Sequence, residues 1–209
     1  MLTPAFLQPQ ARKMTMEAIR AVEARTSAEI VVTVRRLSGY YRSADYLFGF
    51  ILALVTLAVL IFHPQPFAEA FWPLEVTAAF ILGAFFCAFC PLLRRLLVPG
   101  RVKAENVLKS ARSAFFEYGV FRTRDDAGVL VYVSLFERRV EVVCDKGVDA
   151  SRLGPGWETL VHDLQGSLRG RGNLRQFLNG IRAMGPILTG LLPRRSDDVN
   201  ELPDEVGES

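Results

Sequence analysis

The stretch Gly128–Gly147, GVLVYVSLFERRVEVVCDKG, decides the fold of this chain of 209 residues. Its first half contains an unbroken apolar run, Val129 to Val133, which is typical of a strand buried on both faces. Its second half, 140–145, alternates apolar with charged residues, as a half-buried strand does. The charged segment 136–139 between the halves predicts a turn. We therefore expect a β-hairpin that ends in the polar sequence Cys144-Asp145-Lys146-Gly147, at a strand end where sites tend to lie.

Two further stretches are apolar enough to cross a membrane. Half of all residues are hydrophobic, and the mean hydropathy of +0.22 is high for a purely soluble protein. Tyr46–Phe62 and Val76–Leu93 carry no charge, and each is close to the roughly 20 residues that a membrane helix needs. About 45 residues of ordinary sequence precede the first run, which does not resemble a signal peptide. The sequence therefore predicts two transmembrane helices.

Basic residues near these two runs predict their orientation. The loop between them, His63–Phe71, contains no lysine or arginine, whereas both outer flanks are basic. The flanking residues are Arg35, Arg36 and Arg42 before the first run and Arg94, Arg95, Arg101 and Lys103 after the second. By the positive-inside rule, both termini lie in the cytoplasm. The sequence therefore predicts a protein that crosses the membrane twice.

Cysteine content fits a reducing compartment. Three cysteines provide no disulfide framework. Cys87 and Cys90 form a C-x-x-C within the second apolar run, without a second pair or a histidine nearby. We expect them to pack in a membrane helix rather than to serve redox or metal chemistry.

The charge of the chain is unevenly distributed. The segment after Arg195 carries −6, so that the rest of the chain, within a net charge of +3, sums to +9. Such a basic body would be attracted to anionic lipid. Its basic residues are scattered and form no aromatic-interleaved patch, so no nucleic-acid partner is expected.

The remaining sequence predicts a soluble domain interrupted by the membrane hairpin. A helical period covers Gln8–Arg25, a β-branched run covers Ala28–Arg35, and a second helical period covers Lys103–Tyr118. A helix starting near Trp157 follows the β-hairpin, and Asn173 is suited to cap the last helix.

These elements suggest three parts of the chain. Residues 1–45 and 100–192 form one discontinuous domain, residues 46–97 form the membrane hairpin, and residues 193–209 form an acidic tail. Two antiparallel membrane helices return the chain close to where it left, so the surrounding fold is not disturbed.

The order of these motifs resembles the TPM domain family, which includes a thylakoid lumen protein described as an acid phosphatase. The likeness is carried by TSAEIVVTV at 26–34, by 111–118, by DDAGVLVYVSLFERRVEVVCDKGV at 125–148, by the Trp157 helix and by NELPD at 200–204. The terminal NELPD resembles a membrane-anchored bacterial subgroup of that family, which implies the bacterial inner membrane as the location. The resemblance implies an α/β fold, an α-β-α sandwich with a small mixed sheet. It also implies acidic loops that hold a divalent cation in some members.

Three aspartates are the candidate metal ligands. The resemblance places Asp125 and Asp126 before the first hairpin strand and Asp145 after the second. Carboxylates at one edge of a sheet suit a hard cation such as Ca²⁺ or Mg²⁺, although three carboxylates supply only part of its ligand shell. Asp125 and Asp126 equally suit a turn before a strand, because aspartate forms local hydrogen bonds there. Cys144 is expected to be a buried strand-end residue rather than a nucleophile.

No catalytic centre is visible in the sequence. The expected function is therefore a membrane-anchored TPM-like binding or accessory module on the cytoplasmic side. Its partners would be the lipid bilayer and another membrane or cytoplasmic protein, and a homo-oligomer is left open. One alternative is a metal-dependent phosphatase using the three aspartates. A second alternative is an oligomeric membrane transport component, although pathways usually carry polar residues at depth. The acidic tail is expected to dock back on the domain, against Arg138 or Arg139.

Overall fold

The structure is a computed structural model, which describes residues 6–63, 68–170, 172–195 and 207–208. By its internal contacts the chain divides into two units. Unit 1 comprises residues 1–38 and 104–209, and unit 2 comprises residues 39–103.

Unit 1 is built on a mixed β-sheet, so the expected α/β class is confirmed. The strands are β1 (Glu29–Arg35), β2 (Gly128–Ser134), β3 (Arg139–Cys144) and the two-residue β4 (Gly207–Glu208), in the spatial order β3-β2-β1-β4. β2 and β3 pair antiparallel, which confirms the hairpin, and β1 and β2 pair in parallel. Every residue of β2 is buried, as its unbroken apolar run predicted.

Three helices of unit 1 pack on one face of the sheet. They are α1 (Pro9–Glu23), α6 (Pro155–Gly166) and α7 (Leu174–Leu191). Their apolar stripes form one core with the side chains of alternate strand residues, among them Val32 and Val131. α7 begins as expected, because the Asn173 side chain accepts a hydrogen bond from the backbone N–H of Gln176 at 3.0 Å. The helix runs continuously through Pro186.

One helix packs on the opposite face of the sheet. α5 (Gly100–Glu117) places Val107, Ala111 and Phe115 against Leu130 and Tyr132 of β2. The other alternate residues of the strands face this second core. Helices therefore cover both faces of the sheet.

Unit 2 contains α2 (Arg42–Phe62), α3 (Trp72–Phe89) and the short α4 (Pro91–Leu97). Both α2 and the segment 69–89 are long and apolar enough to cross a membrane, by length and composition. The two helices approach closely at glycines: a Cβ added to Gly49 would lie 2.6 Å from the carbonyl oxygen of Phe80. A Cβ added to Gly83 would lie 3.0 Å from the Cα of Gly49. Only glycine allows this backbone approach.

The second apolar run is not one helix, which corrects the expected span 76–93. α3 starts four residues earlier and ends at Phe89, and Cys90 adopts a non-helical conformation with φ −108° and ψ 88°. Pro91 explains the break, because a proline disfavours helical geometry in the preceding residue. Only Cys87 of the C-x-x-C lies within α3, where it is buried.

The end of the chain adds the fourth strand. Gly207 and Glu208 pair in parallel with Thr33 and Val34 of β1. This pairing is on the edge of the sheet opposite β3, whereas Arg139, one of the two expected partners of the tail, lies in β3. The NELPD segment at 200–204 lies outside the described residues.

Candidate functional site

The loops before β2 and after β3 meet at the open end of the hairpin. The backbone N–H of Gly147 donates to the carbonyl oxygen of Asp126 at 2.9 Å. A Cβ on Gly147 would lie 2.1 Å from the carbonyl oxygen of Asp125, so only a glycine permits this approach. The structure therefore brings together the segments that carry all three candidate aspartates.

Their carboxylates have different surroundings. Asp125 forms an ion pair with Arg195, with 2.8 Å between Oδ2 and Nη1. Asp126 is exposed and adopts a positive φ of 51°, in a turn where its N–H donates to the carbonyl oxygen of Thr123. Asp145 accepts from the N–H of Lys146 through Oδ1 at 2.8 Å, whereas its Oδ2 is buried and has no hydrogen-bond partner.

These three side chains do not converge on one point. Within the described parts of the chain, no three His, Cys, Asp or Glu side chains form a group that could hold a metal ion. The turn geometry of Asp126 fits the local role that aspartate often has before a strand. Cation binding by Asp125, Asp126 and Asp145 stays a prediction.

A groove of about 540 Å³ runs along the outer edge of β3 and ends at the same loops. Leu108 and Arg112 of α5 line one side, and Trp157 of α6 lines the other. The floor is residues 141–146. Partial burial raises the pKa of Glu141, and the nearby guanidinium groups of Arg139 and Arg112 oppose this shift. The groove thus combines apolar walls with carboxylates and cations.

Cys144 does not have the properties of a nucleophile. Its side chain packs against the core that lies under α1, α6 and α7. Burial raises the pKa of the thiol to about 12, so almost none of it is thiolate near neutral pH. This agrees with the expectation that Cys144 is a packing residue.

A buried polar cluster at the other end of β2 was missed from the sequence. The Ser38 hydroxyl lies 3.0 Å from the Tyr132 hydroxyl and 2.6 Å from the Ser134 hydroxyl. Ser134 donates a hydrogen bond to Glu137, and Glu137 also accepts from the N–H of Ser38 at 2.9 Å. The Ser110 hydroxyl of α5 donates to the carbonyl oxygen of Ser38 at 2.9 Å. Burial raises the pKa of Tyr132.

The segment 136–139 contains the predicted turn, but Glu137 within it is only 5% exposed. The sequence feature that could have predicted this buried cluster is the pair Tyr132 and Ser134, two polar side chains on one face of an otherwise apolar strand. Buried hydroxyl groups require partners, which Ser38 supplies to Tyr132 and Glu137 supplies to Ser134.

Unit 2 also contains an acidic residue that lies just before the predicted apolar run Tyr46–Phe62. α2 begins at Arg42 and includes Asp45, which is 5% exposed. Both carboxylate oxygens of Asp45 accept from Arg94 of α4, at 2.8 and 2.6 Å. This bidentate pair fixes the start of α2 to α4.

Comparison with known proteins gives one informative likeness. No family model matches the chain, and no curated protein matches it. Its fold is similar to the NMR structure of BA42 protein from the psychrophilic bacterium Bizionia argentinensis sp. nov.. The TM-score is 0.58 and the sequence identity 17%, with 99% of this chain and 98% of that chain covered. At this identity the likeness shows the fold alone.

Proposed function

We propose that this chain is a TPM-like α-β-α sandwich anchored in the bacterial inner membrane by unit 2, with unit 1 acting in the cytoplasm as a binding or accessory module. The main evidence for the membrane anchor is the exposure of the apolar helices of unit 2. In their most apolar windows, only 22% of α2 and 11% of the segment 69–89 are buried. Large side chains such as Phe50, Phe85 and Phe89 are more than half exposed. The core helix of a soluble protein would instead be mostly buried, so lipid is the better solvent for these surfaces.

The charges of unit 2 support the direction of the anchor. Arg94 and Arg95 lie just beyond α3, and Arg42 begins α2, so the basic residues gather at one end of the helix pair. The connection at the other end, 63–71, has no lysine or arginine. The positive-inside rule places the basic end in the cytoplasm.

Two measurements test the anchor and its direction. The full chain should stay in the membrane pellet after extraction at alkaline pH. In a background without native cysteines, a cysteine at position 209 should react with a membrane-impermeant maleimide only after the cells are broken, and one at position 65 should react in intact spheroplasts. Release at alkaline pH would rule out membrane anchoring, and the reverse labelling pattern would rule out the orientation.

The hairpin end of unit 1 is the proposed binding region, and a divalent cation is the ligand that its chemistry suits. The unsatisfied Oδ2 of Asp145 lies on a loop that is hydrogen-bonded to the Asp126 carbonyl group. Calcium accepts both carboxylate and carbonyl oxygens as ligands. Arg195 would compete with the cation, because it already neutralises Asp125.

Thermal melting of the full chain with and without Ca²⁺ or Mg²⁺ tests this binding. Saturating cation should raise the melting temperature, Asp145→Asn should remove the rise, and Arg195→Gln should enlarge it. Arg182→Gln, an exposed arginine on α7, is the matched control. If no cation changes the melting temperature, cation binding is excluded. Cation-dependent hydrolysis of a phosphate ester that is lost in Asp145→Asn would instead favour the metal-dependent phosphatase.

A further inference from the structure

The two edges of the sheet in unit 1 differ in what lies beside them. On the β1 edge, the chain's own residues Gly207 and Glu208 add a strand. On the β3 edge, no further strand is present among the described residues, and the groove of about 540 Å³ runs along it. An uncovered edge strand offers a row of backbone donors and acceptors to another strand.

The register of the hairpin identifies which backbone groups point outward. Asp145 and Gly147 direct their N–H groups inward, to the carbonyl oxygens of Gly128 and Asp126. In an antiparallel pair, inward and outward groups alternate along the strand. The N–H and C=O groups of Val140, Val142 and Cys144 therefore point away from β2, along the groove.

We infer that β3 pairs antiparallel with β3 of a second copy of this chain, with the two-fold axis at Val142, so that two sheets join into one. Asp145 continues the ladder of β3, because its N–H bonds the carbonyl oxygen of Gly128. Over residues 139–145, three registers pair at least five residues, those centred on Glu141, Val142 and Val143, and charge selects among them. Centring the pair on Glu141 would place two Glu141 side chains opposite each other. Centring it on Val143 would place Glu141 opposite Asp145.

The register centred on Val142 avoids both repulsions. It places Arg139 opposite Asp145 of the second copy, twice by symmetry, and Glu141 opposite Val143. Like charges directly opposite destabilise a strand pair, whereas opposite charges stabilise it. Arg139 is exposed at one end of β3, and Asp145 directly follows the other end.

The groove gives the second strand an apolar surface to cover. Leu108, Val142, Val143 and Cys144 line it and are only partly buried in a single copy. The pairing involves unit 1 alone, so a negative result for the pairing would not contradict the proposed membrane anchoring by unit 2.

Complementary charge reversal in the full chain, solubilised in mild detergent, tests the pairing by sedimentation velocity. Arg139→Asp alone and Asp145→Arg alone should each weaken dimerisation about tenfold, because two attractive pairs become repulsive. An equimolar mixture of the two variants should form a heterodimer, since both cross-strand pairs are then attractive. That recovery separates a lost interface from a lost fold. A monomeric wild-type chain, or a dimer that neither reversal weakens, would overturn the proposal.

Disulfide trapping in membranes tests the register. In a background without native cysteines, Glu141→Cys and Val143→Cys should cross-link to each other between copies, because opposite residues in such a pair have Cβ atoms about 4.5–5.5 Å apart. Either cysteine alone should remain largely uncross-linked. Efficient cross-linking by Glu141→Cys alone would exclude the register centred on Val142.

Discussion

Replacing Gly147 with alanine is expected to lower the free energy of unfolding of unit 1 by about 2–4 kcal/mol, because the loop has no room for a methyl group. The added Cβ would lie 2.1 Å from the carbonyl oxygen of Asp125 and 2.8 Å from that of Asp126. Cβ atoms essentially never approach closer than 3.0 Å, so the backbone must separate by about 0.9 Å. Overpacking costs about 1–3 kcal/mol, and loss of the Gly147 to Asp126 hydrogen bond adds about 1 kcal/mol.

Thermal unfolding followed by the fluorescence of buried Trp157, in a Trp72→Phe background, measures this effect. The midpoint should fall by about 5–15 °C for a unit of this size. Gly190→Ala is the matched control: beyond the adjacent backbone of its own helix, no described atom lies within 4 Å of its added Cβ. Alanine in a helix should add about 0.5–1 kcal/mol of stability. If Gly147→Ala melts within about 1 °C of the wild type, the tight loop contact and the reasoning from it are wrong.

Four further predictions concern Cys144, Asp45 and Ser134. Iodoacetamide should alkylate Cys144 in the folded chain several hundred-fold more slowly than in the unfolded chain at pH 8.5, because burial raises the pKa of the thiol from 9.0 to about 12; equal rates would contradict this burial. Since the folded thiol keeps its proton while the unfolded one loses it, the same group should make stability fall between pH 9 and about pH 12. Asp45→Asn should lower the free energy of unfolding by about 2–3 kcal/mol, because it leaves the charge of Arg94 unpaired. In denaturation experiments, the double variant Asp45→Asn with Arg94→Gln should lose less stability than the two single variants lose in sum. Ser134→Ala should cost about 1–3 kcal/mol in the same melts, because Ser38 and Glu137 lose a buried partner; a change as small as that of exposed Ser113→Ala would refute this role.

The sequence predicted those elements whose pattern is local. Val129 to Val133 can be placed as a buried strand because a continuous apolar run has no polar face to offer to water. Asn173 was identified as a helix cap because its side chain bonds a backbone group only three residues away. Both assignments are confirmed.

Other features could not be read from local patterns. The 136–139 turn looks solvent-exposed, yet Glu137 is buried because Ser38, almost a hundred residues away in sequence, supplies a hydrogen bond. Asp45 was left outside the first apolar run, since no sequence rule indicates that Arg94 would neutralise it. The ion pair of Asp125 with Arg195 likewise joins residues 70 positions apart. A cation bound by Asp125 would therefore have to displace Arg195.

By itself, the sequence determined β1, the hairpin of β2 and β3, the helices of unit 1 and the two apolar stretches, because periodicity and turn chemistry act over a few residues. Only the tertiary structure decided that β1 pairs in parallel with β2, that the chain end covers the β1 edge and that the β3 edge borders a groove. It also decided which carboxylates are paired and which oxygen is left without a partner. These outcomes depend on contacts between distant residues, whose energies no local pattern records.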